Sequence, residues 1–298
     1  MVKANYSKLR KFDFNKDPPP SLLKWIGNKN RIAKKILQYA PYKYHAYVEP
    51  FLGSGAILGT LSPKEAIAGD NLKPLIEIWQ LLQNNPNSLL KHYSDTWDEY
   101  IESPKETYEK VKDEYNKHPN PHYLLFISRS CYGGVIRFTK QGTLSTPIGA
   151  HRPISPKSLE KRMGIWRKRV KNTTFIHADF QKTMELANAG DLVYCDPPYQ
   201  YSQQILYGSQ DFRIRNLWKA IKMCKNRGAK VMLSIDGKVK SKKIDLKLDY
   251  PKGLFEREIL IDRGSSMLRR FQKKNSTMVG ETVHDRLLLT WSSNSEEA

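Results

Sequence analysis

Short apolar runs separated by polar, mostly basic stretches set the rhythm of the chain. Seven of these runs have strand character: HAYVEP around Val48, AIAGD around Ile67, TTFIHAD around Phe175, DLVYCD around Val193, KVMLSID around Met232, FEREILI around Ile259 and DRLLLTW around Leu288. Several end in an acid, a glycine or a proline, residues that stop a ladder or turn the chain at a sheet edge. Helical periodicity lies between some of them, in NKNRIAKKILQYA after Gly27 and in RIRNLWKAIKMCKNRG, which closes on Gly228 as a C-cap. Strands alternating with helices predict an α/β fold built on a mainly parallel sheet with helices on both faces.

That rhythm stops between Lys73 and Thr173, where mixed helical stretches surround one Gly-rich segment, SCYGGVIRFTKQGTLSTPIG, with the pattern of a β-hairpin. The division predicts a catalytic domain made of residues 1–73 and 171–298 and an inserted domain at 74–170. Charge within the insertion is polarised. Residues 115 to 170 carry eleven Lys or Arg against Glu160 alone, whereas Asp95 to Glu114 is acidic. One face is therefore expected to meet phosphate and another solvent. No internal repeat is present, and the tail SSNSEEA reads as disordered.

Fifty Lys plus Arg against thirty Asp plus Glu give the 298-residue chain a net charge of +20, which favours an extended anionic partner such as nucleic acid. A membrane surface is the rival. No run approaches the length of a spanning helix, and MVKANYSKLRKFDF lacks the apolar core of a signal peptide, so a soluble, cytoplasmic protein is expected. Cys131, Cys195 and Cys224 are isolated and show no metal-ligand spacing, so no disulfide, zinc framework or other metal site is implied.

Two segments carry candidate chemistry. In DLVYCDPPYQY, residues 191–201, the strand former run Leu192 to Cys195 must stop at Pro197-Pro198, which leaves Asp196 at the carboxyl edge of a strand. In an open α/β sheet that edge is where ligands bind. In YVEPFLGSGAILG, residues 47–59, a strand leads through a Phe-Leu-Gly-Ser-Gly turn into a helix. Gly53 and Gly55 there permit close approach of a ligand to the backbone. An ordinary βα turn would also use two glycines. A dinucleotide loop would want a third glycine where Leu58 stands, which argues against a nicotinamide-dependent dehydrogenase. Asp70 follows the next strand, a position from which an acid accepts hydrogen bonds from ribose hydroxyls.

Lys-Trp-x-Gly-x-Lys at residues 24–29, Phe-x-Gly-x-Gly at 51–55 and Asp-Pro-Pro-Tyr at 196–199 occur in that order. The combination resembles the adenine-N6 DNA methyltransferases of the D12 class, the Dam-like alpha group, over about residues 22 to 291. The resemblance implies a Rossmann-like, seven-stranded class I methyltransferase sheet with an inserted, mainly helical target-recognition domain containing a β-hairpin. It implies S-adenosylmethionine as cofactor, with Trp25 and Lys29 near its methionine end, the turn Phe51, Gly53, Ser54 and Gly55 beneath it, Asp70 on its ribose, and Asp179 and Phe180 at its adenine. Asp196, Pro197, Pro198 and Tyr199 are implied as the catalytic run.

The segment at 128–149 is similar to the family's recognition hairpin, usually Asn-Arg-x-x-Tyr-Asn-Gly-x-x-Arg with a later Pro-x-Gly. Arg129, Tyr132, Gly134, Arg137, Pro147 and Gly149 match, while Ser128 and Gly133 stand where the family has Asn. Arg129, Tyr132, Arg137 and Pro147 are the implied DNA contacts, with Arg137 the candidate reader of a guanine. A phosphate contact or a structural ion pair is the other use of that arginine. Arg269, Arg270, Lys273 and Lys274, in the stretch LRRFQKKNST expected to be a mobile loop, together with Lys168 and Arg169, are implied around the flipped base.

The expected partner is double-stranded DNA, with the chain a monomer or weak dimer of bacterial or phage origin, and a cognate restriction endonuclease is left open as a protein partner. Two other activities are carried beside this one: a catalytically silent nucleic-acid-binding protein on the same fold, and a cytosine-N4 or RNA-adenine methyltransferase.

Overall fold

The computed structural model describes residues 10–11, 16–198, 212–239, 250–265 and 282–292. Two short strands, β1 (Arg10–Lys11) and β2 (Lys43–Tyr44), pair antiparallel beside the main sheet. The main sheet contains β3 (Tyr47–Glu49), β4 (Ala66–Asp70), β5 (Thr173–His177), β6 (Leu192–Cys195), β7 (Lys230–Val239), β8 (Arg257–Ser265) and β9 (Thr282–Leu289). These seven are the seven strands predicted from the apolar runs. Their order is β5-β4-β3-β6-β7-β9-β8, parallel through β7, with β9 antiparallel to both β7 and β8. The order reverses at β3 and β6, so the carboxyl ends of these two strands flank the crevice in which such sheets bind ligands. The α/β expectation and the seven-stranded, Rossmann-like sheet are therefore met.

Helices cover both faces. They are α1 (Ala33–Leu37), α2 (Ala56–Leu61), α3 (Lys73–Asn84), α4 (Pro86–Glu102), α5 (Pro104–Lys117), α6 (Pro121–Ser130), α7 (Pro156–Arg169), α8 (Phe180–Glu185) and α9 (Ile214–Asn226). Because β3 and β6 alternate strictly, Val193 and Cys195 enter a core with Leu217, Trp218 and Ile221 of α9, whereas Leu192 and Tyr194 enter a second core on the other side. The second core runs without a break into the helices of the 74–170 segment. Trp79 of α3 lies between Trp166 of α7 and Phe175 of β5, at ring-centroid distances of 4.9 and 5.8 Å. Each such aromatic pair adds about 1 kcal/mol beyond its buried area.

Helices α4 to α7 each begin at a proline preceded by Asn or Ser. The proline lacks an N–H that the first turn could not use, and the side chains of Asn85, Asn120 and Ser155 accept N–H groups left over in that turn. The predicted hairpin consists of two antiparallel bridges, Cys131 with Ile148 and Phe138 with Leu144, with a short 3₁₀ turn at Tyr132–Gly134 between Cys131 and Phe138.

Candidate active site

Three acids mark the carboxyl edge of the sheet: Glu49 ends β3, Asp70 ends β4, and Asp196 follows β6. All three line one cleft, together with Trp25, Lys29, Phe51, Gly53, Ser54, Asp179, Phe180, Pro197 and Pro198. Eleven sequence candidates, drawn from five separate stretches, thus converge there. Gly55 does not line it. That residue precedes α2 and faces Trp79, which a side chain at this position would approach at 3.3 Å. Tyr199, Arg269, Arg270, Lys273 and Lys274 lie outside the described residues, as do the stretch LRRFQKKNST and residues 293–298 of the tail.

Asp196 is held from the far side of the cleft. The buried Lys29 ammonium donates to its Oδ1 at 2.8 Å and to the Gly27 carbonyl at 3.3 Å, and stands 3.7 Å from Oδ2 of Asp285, a buried residue of β9. Lys29 sits in a loop that is tightly tied down around it. Asn28 Oδ1 accepts the Asn30 N–H at 2.6 Å, and Ile32 N–H closes a turn on the Lys29 carbonyl at 2.9 Å.

Asp70 fixes the glycine turn. Its Oδ2 accepts the Gly53 N–H at 3.0 Å and its Oδ1 the Leu72 N–H at 3.1 Å. Burial raises its carboxyl above the ordinary value, and these backbone donors oppose the rise. Gly53 has φ +47°, and a Cβ there would stand 3.1 Å from the Trp25 indole Nε1, so the residue keeps the turn open beneath the tryptophan. Asp179 caps α8 through the Gln181 N–H at 2.8 Å, and the ring of Phe180 stacks on Phe51 at 5.1 Å. Phe212 completes this aromatic wall, 6.0 Å from Phe51 and 5.7 Å from Phe180.

Sequence reasoning passed over Glu49, Asn71, Tyr194, Phe212 and Asn216, all of which line the cleft. Glu49 carries the same signal that exposed Asp70 and Asp196, an acid at a strand end. Its Oε2 accepts the Tyr47 hydroxyl at 2.8 Å and the Leu58 N–H at 3.1 Å, and burial pushes its carboxyl up to about 8. Phe212 and Asn216 flank the start of α9, where no local pattern points to the cleft.

The hairpin candidates separate. Tyr132, Arg137 and Pro147 are exposed, whereas Arg129 turns inward and donates to the Ser21 carbonyl at 3.3 Å, beside Arg162 on the same carbonyl at 2.6 Å. Burial and the neighbouring Arg162 lower the Arg129 guanidinium to about 10. The hairpin is joined to the Lys29 loop by the Ile26 N–H, which donates to the Gly134 carbonyl at 3.2 Å. Gly134, at φ +70°, lies so close that a Cβ would meet the Lys24 backbone at 2.7 Å.

A ligand cleft at the switch point of a seven-stranded sheet, with an Asp-Pro-Pro corner and a glycine turn on one rim, defines the class of protein. The profile of the D12 class N6 adenine-specific DNA methyltransferases matches residues 25–261, and the chain belongs to that family. It is 30% identical over 240 residues to the type II methyltransferase M.MjaIII of Methanocaldococcus jannaschii, covering 71% of this chain and 82% of that protein. It is 27% identical over 231 residues to the DNA N-6-adenine-methyltransferase of Escherichia phage P1, covering 73% of this chain and 30% of that one. The DNA adenine methylase of Vibrio cholerae is 26% identical over 183 residues, 60% of this chain and 65% of its own length. Among the described residues no helix is long and apolar enough to cross a membrane.

Proposed function

We propose that the protein transfers a methyl group from S-adenosylmethionine to N6 of an adenine flipped out of duplex DNA, within a short site that contains G-A. One observation carries this reading: Asp196 and the Pro197-Pro198 corner share a cleft with the glycine turn and Asp70. The cleft suits that cofactor. Asp70, Asp179 and Asp196 face it against Lys29, the one cation among its described lining residues, and Trp25, Phe51, Phe180 and Phe212 supply aromatic surface. An acidic, aromatic cleft matches a ligand with cationic sulfonium and ammonium groups at one end and an adenine at the other.

When bound, the cofactor supplies an electrophilic methyl group. The protein's task is to make a poor nucleophile better, because the N6 lone pair is delocalised into the adenine ring. Asp196 accepts one N6 hydrogen, and the Pro197 carbonyl, stiffened by the following proline, is positioned to accept the other. Two fixed acceptors draw the amine toward tetrahedral geometry and free its lone pair to attack the methyl carbon, and N6 then sheds one proton along its hydrogen bond to Asp196 or to solvent. Tyr199 offers a face for the extruded base, with stacking worth about 1 to 3 kcal/mol. Asp70 holds the glycine turn and takes the ribose hydroxyls, Asp179 and Phe180 take the cofactor's adenine, and Trp25 and Lys29 flank its methionine end.

The exposed Tyr132, Arg137 and Pro147 form the DNA-reading edge of the 74–170 segment, which acts as the recognition domain. A cognate endonuclease is proposed as a functional partner because relatives are named type II methyltransferases.

The test is methyl transfer from labelled cofactor to duplex DNA, followed by sequencing of modified bases. Methylated adenine at one short motif is expected. Methylcytosine, modified RNA or binding without transfer would each replace the proposal with one of the rival activities.

A further inference from the structure

Lys29 and Asp196 are an ion pair that the proposed chemistry explains only in part. A buried ammonium 2.8 Å from the carboxylate steadies it, yet it also draws on the negative charge that must polarise the amine. Behind Lys29 stands a second carboxylate to which that chemistry gives no role. Asp285 is fully buried in β9, with Oδ2 3.7 Å from the Lys29 ammonium, itself 3% exposed. Residue 285 is placed by the sheet itself. It pairs in register with Asp236 of β7 and Ile261 of β8, and β7 lies next to β6, whose end carries Asp196. The Lys29 loop is brought over this part of the sheet by α1, where Lys35 donates to the Asp262 carbonyl of β8 at 3.0 Å.

Asp285 and Asp196 face the same buried cation, the ammonium of Lys29. The geometry points to Asp285 as a positioning residue for methyl transfer: by sharing the ammonium of Lys29 it fixes that side chain in place and leaves Asp196 an anionic hydrogen-bond acceptor. Without Asp285, Lys29 pairs with Asp196 more closely and weakens it as an acceptor, or drifts and releases it. Either change slows the chemical step while the proposed cofactor contacts at Asp70, Phe180 and the glycine turn stay in place, and only the one at Lys29 shifts.

This inference rests on the methyltransferase reading, and the test separates the two. Activity of the wild-type protein on duplex DNA tests that reading alone, while a double-mutant cycle between residues 29 and 285 tests this one. Asp285→Asn, nearly isosteric, is expected to lower kcat about tenfold while the cofactor KM changes less than about threefold, as for an interaction that matters mainly in the transition state. Asp285→Glu, which keeps the charge, is expected to recover most of that loss. In a Lys29→Met background Asp285→Asn should change kcat less than about twofold, because the residue through which it acts is gone. An equal loss in both backgrounds, a full kcat in Asp285→Asn, or a matching rise in cofactor KM would overturn the assignment.

Thermal melting gives an answer independent of activity and of how well the single variant folds. Lys29→Met removes the cation beside the buried Asp285, so Asp285→Asn should cost less melting temperature in that variant than in the wild type. An equal loss in both backgrounds would mean that the two residues are not coupled, and the proposal fails.

Discussion

Lys29 and Asp196, 167 positions apart in sequence, meet at 2.8 Å and so tie the N-terminal loop to the corner after β6. For the proposed reaction the partner of Asp196 is the target amine. Asp196→Ala should therefore lower methyl transfer by about 10³-fold or more, while cofactor affinity by calorimetry changes little. Turnover within a few-fold of the wild type would remove Asp196 from the chemistry.

Asp70 has two occupations, the glycine turn and the proposed ribose contact. Its replacement by alanine strands the Gly53 and Leu72 N–H groups and removes a charged acceptor. Cofactor affinity should fall about ten- to a hundredfold, with some loss of melting temperature. A lower melting temperature with unchanged affinity would confine Asp70 to the fold.

Glu49 gives the protein a pH-dependent stability with a definite sign. Its carboxyl titrates at about 8 in the folded protein against an ordinary 4.5, so over that interval the folded state holds a proton that the unfolded state has lost. Its contribution is complete below about pH 4.5 and disappears as pH rises toward 8. Glu49→Gln can keep an acceptor for Tyr47 and Leu58 without the charge. The melting temperature of the variant relative to wild type should climb between pH 5 and 8 and level off above. A difference that stays flat over that range would mean Glu49 does not titrate there.

Arg137, exposed on the hairpin, is proposed to read a guanine beside the target, where a guanidinium can bond O6 and N7 together. Arg137→Ala should relax selectivity at one base pair by about 1 to 3 kcal/mol, measured on duplexes varied one pair at a time. Uniform loss of activity, with base preferences kept, would make it a phosphate anchor.

The net charge of +20 also predicts how DNA affinity depends on salt. If basic side chains track phosphates, affinity should fall with a log-log slope of about −0.9 for each phosphate neutralised. Filter binding or anisotropy across a salt series measures it, and a flat response would argue against duplex DNA as partner.

The sequence by itself determined the seven strands, because each is a short apolar run, several of them closed by an acid, glycine or proline, and such runs have few other ways to bury themselves. It also marked Asp70 and Asp196 as acids at strand ends. These are local signals, carried by a handful of adjacent residues. Only the tertiary structure decided the strand order that sets β3 beside β6 and so brings Glu49, Asp70 and Asp196 to one cleft. It alone turned Arg129 inward to the Ser21 carbonyl while leaving Arg137 exposed, although both lie in the same motif. Asp285 sits in a strand legible from its apolar pattern, yet its pairing with Lys29 depends on where a loop more than two hundred residues earlier comes to rest. Charge pairs between distant segments leave no periodicity in a sequence. They exist only once packing has fixed both ends.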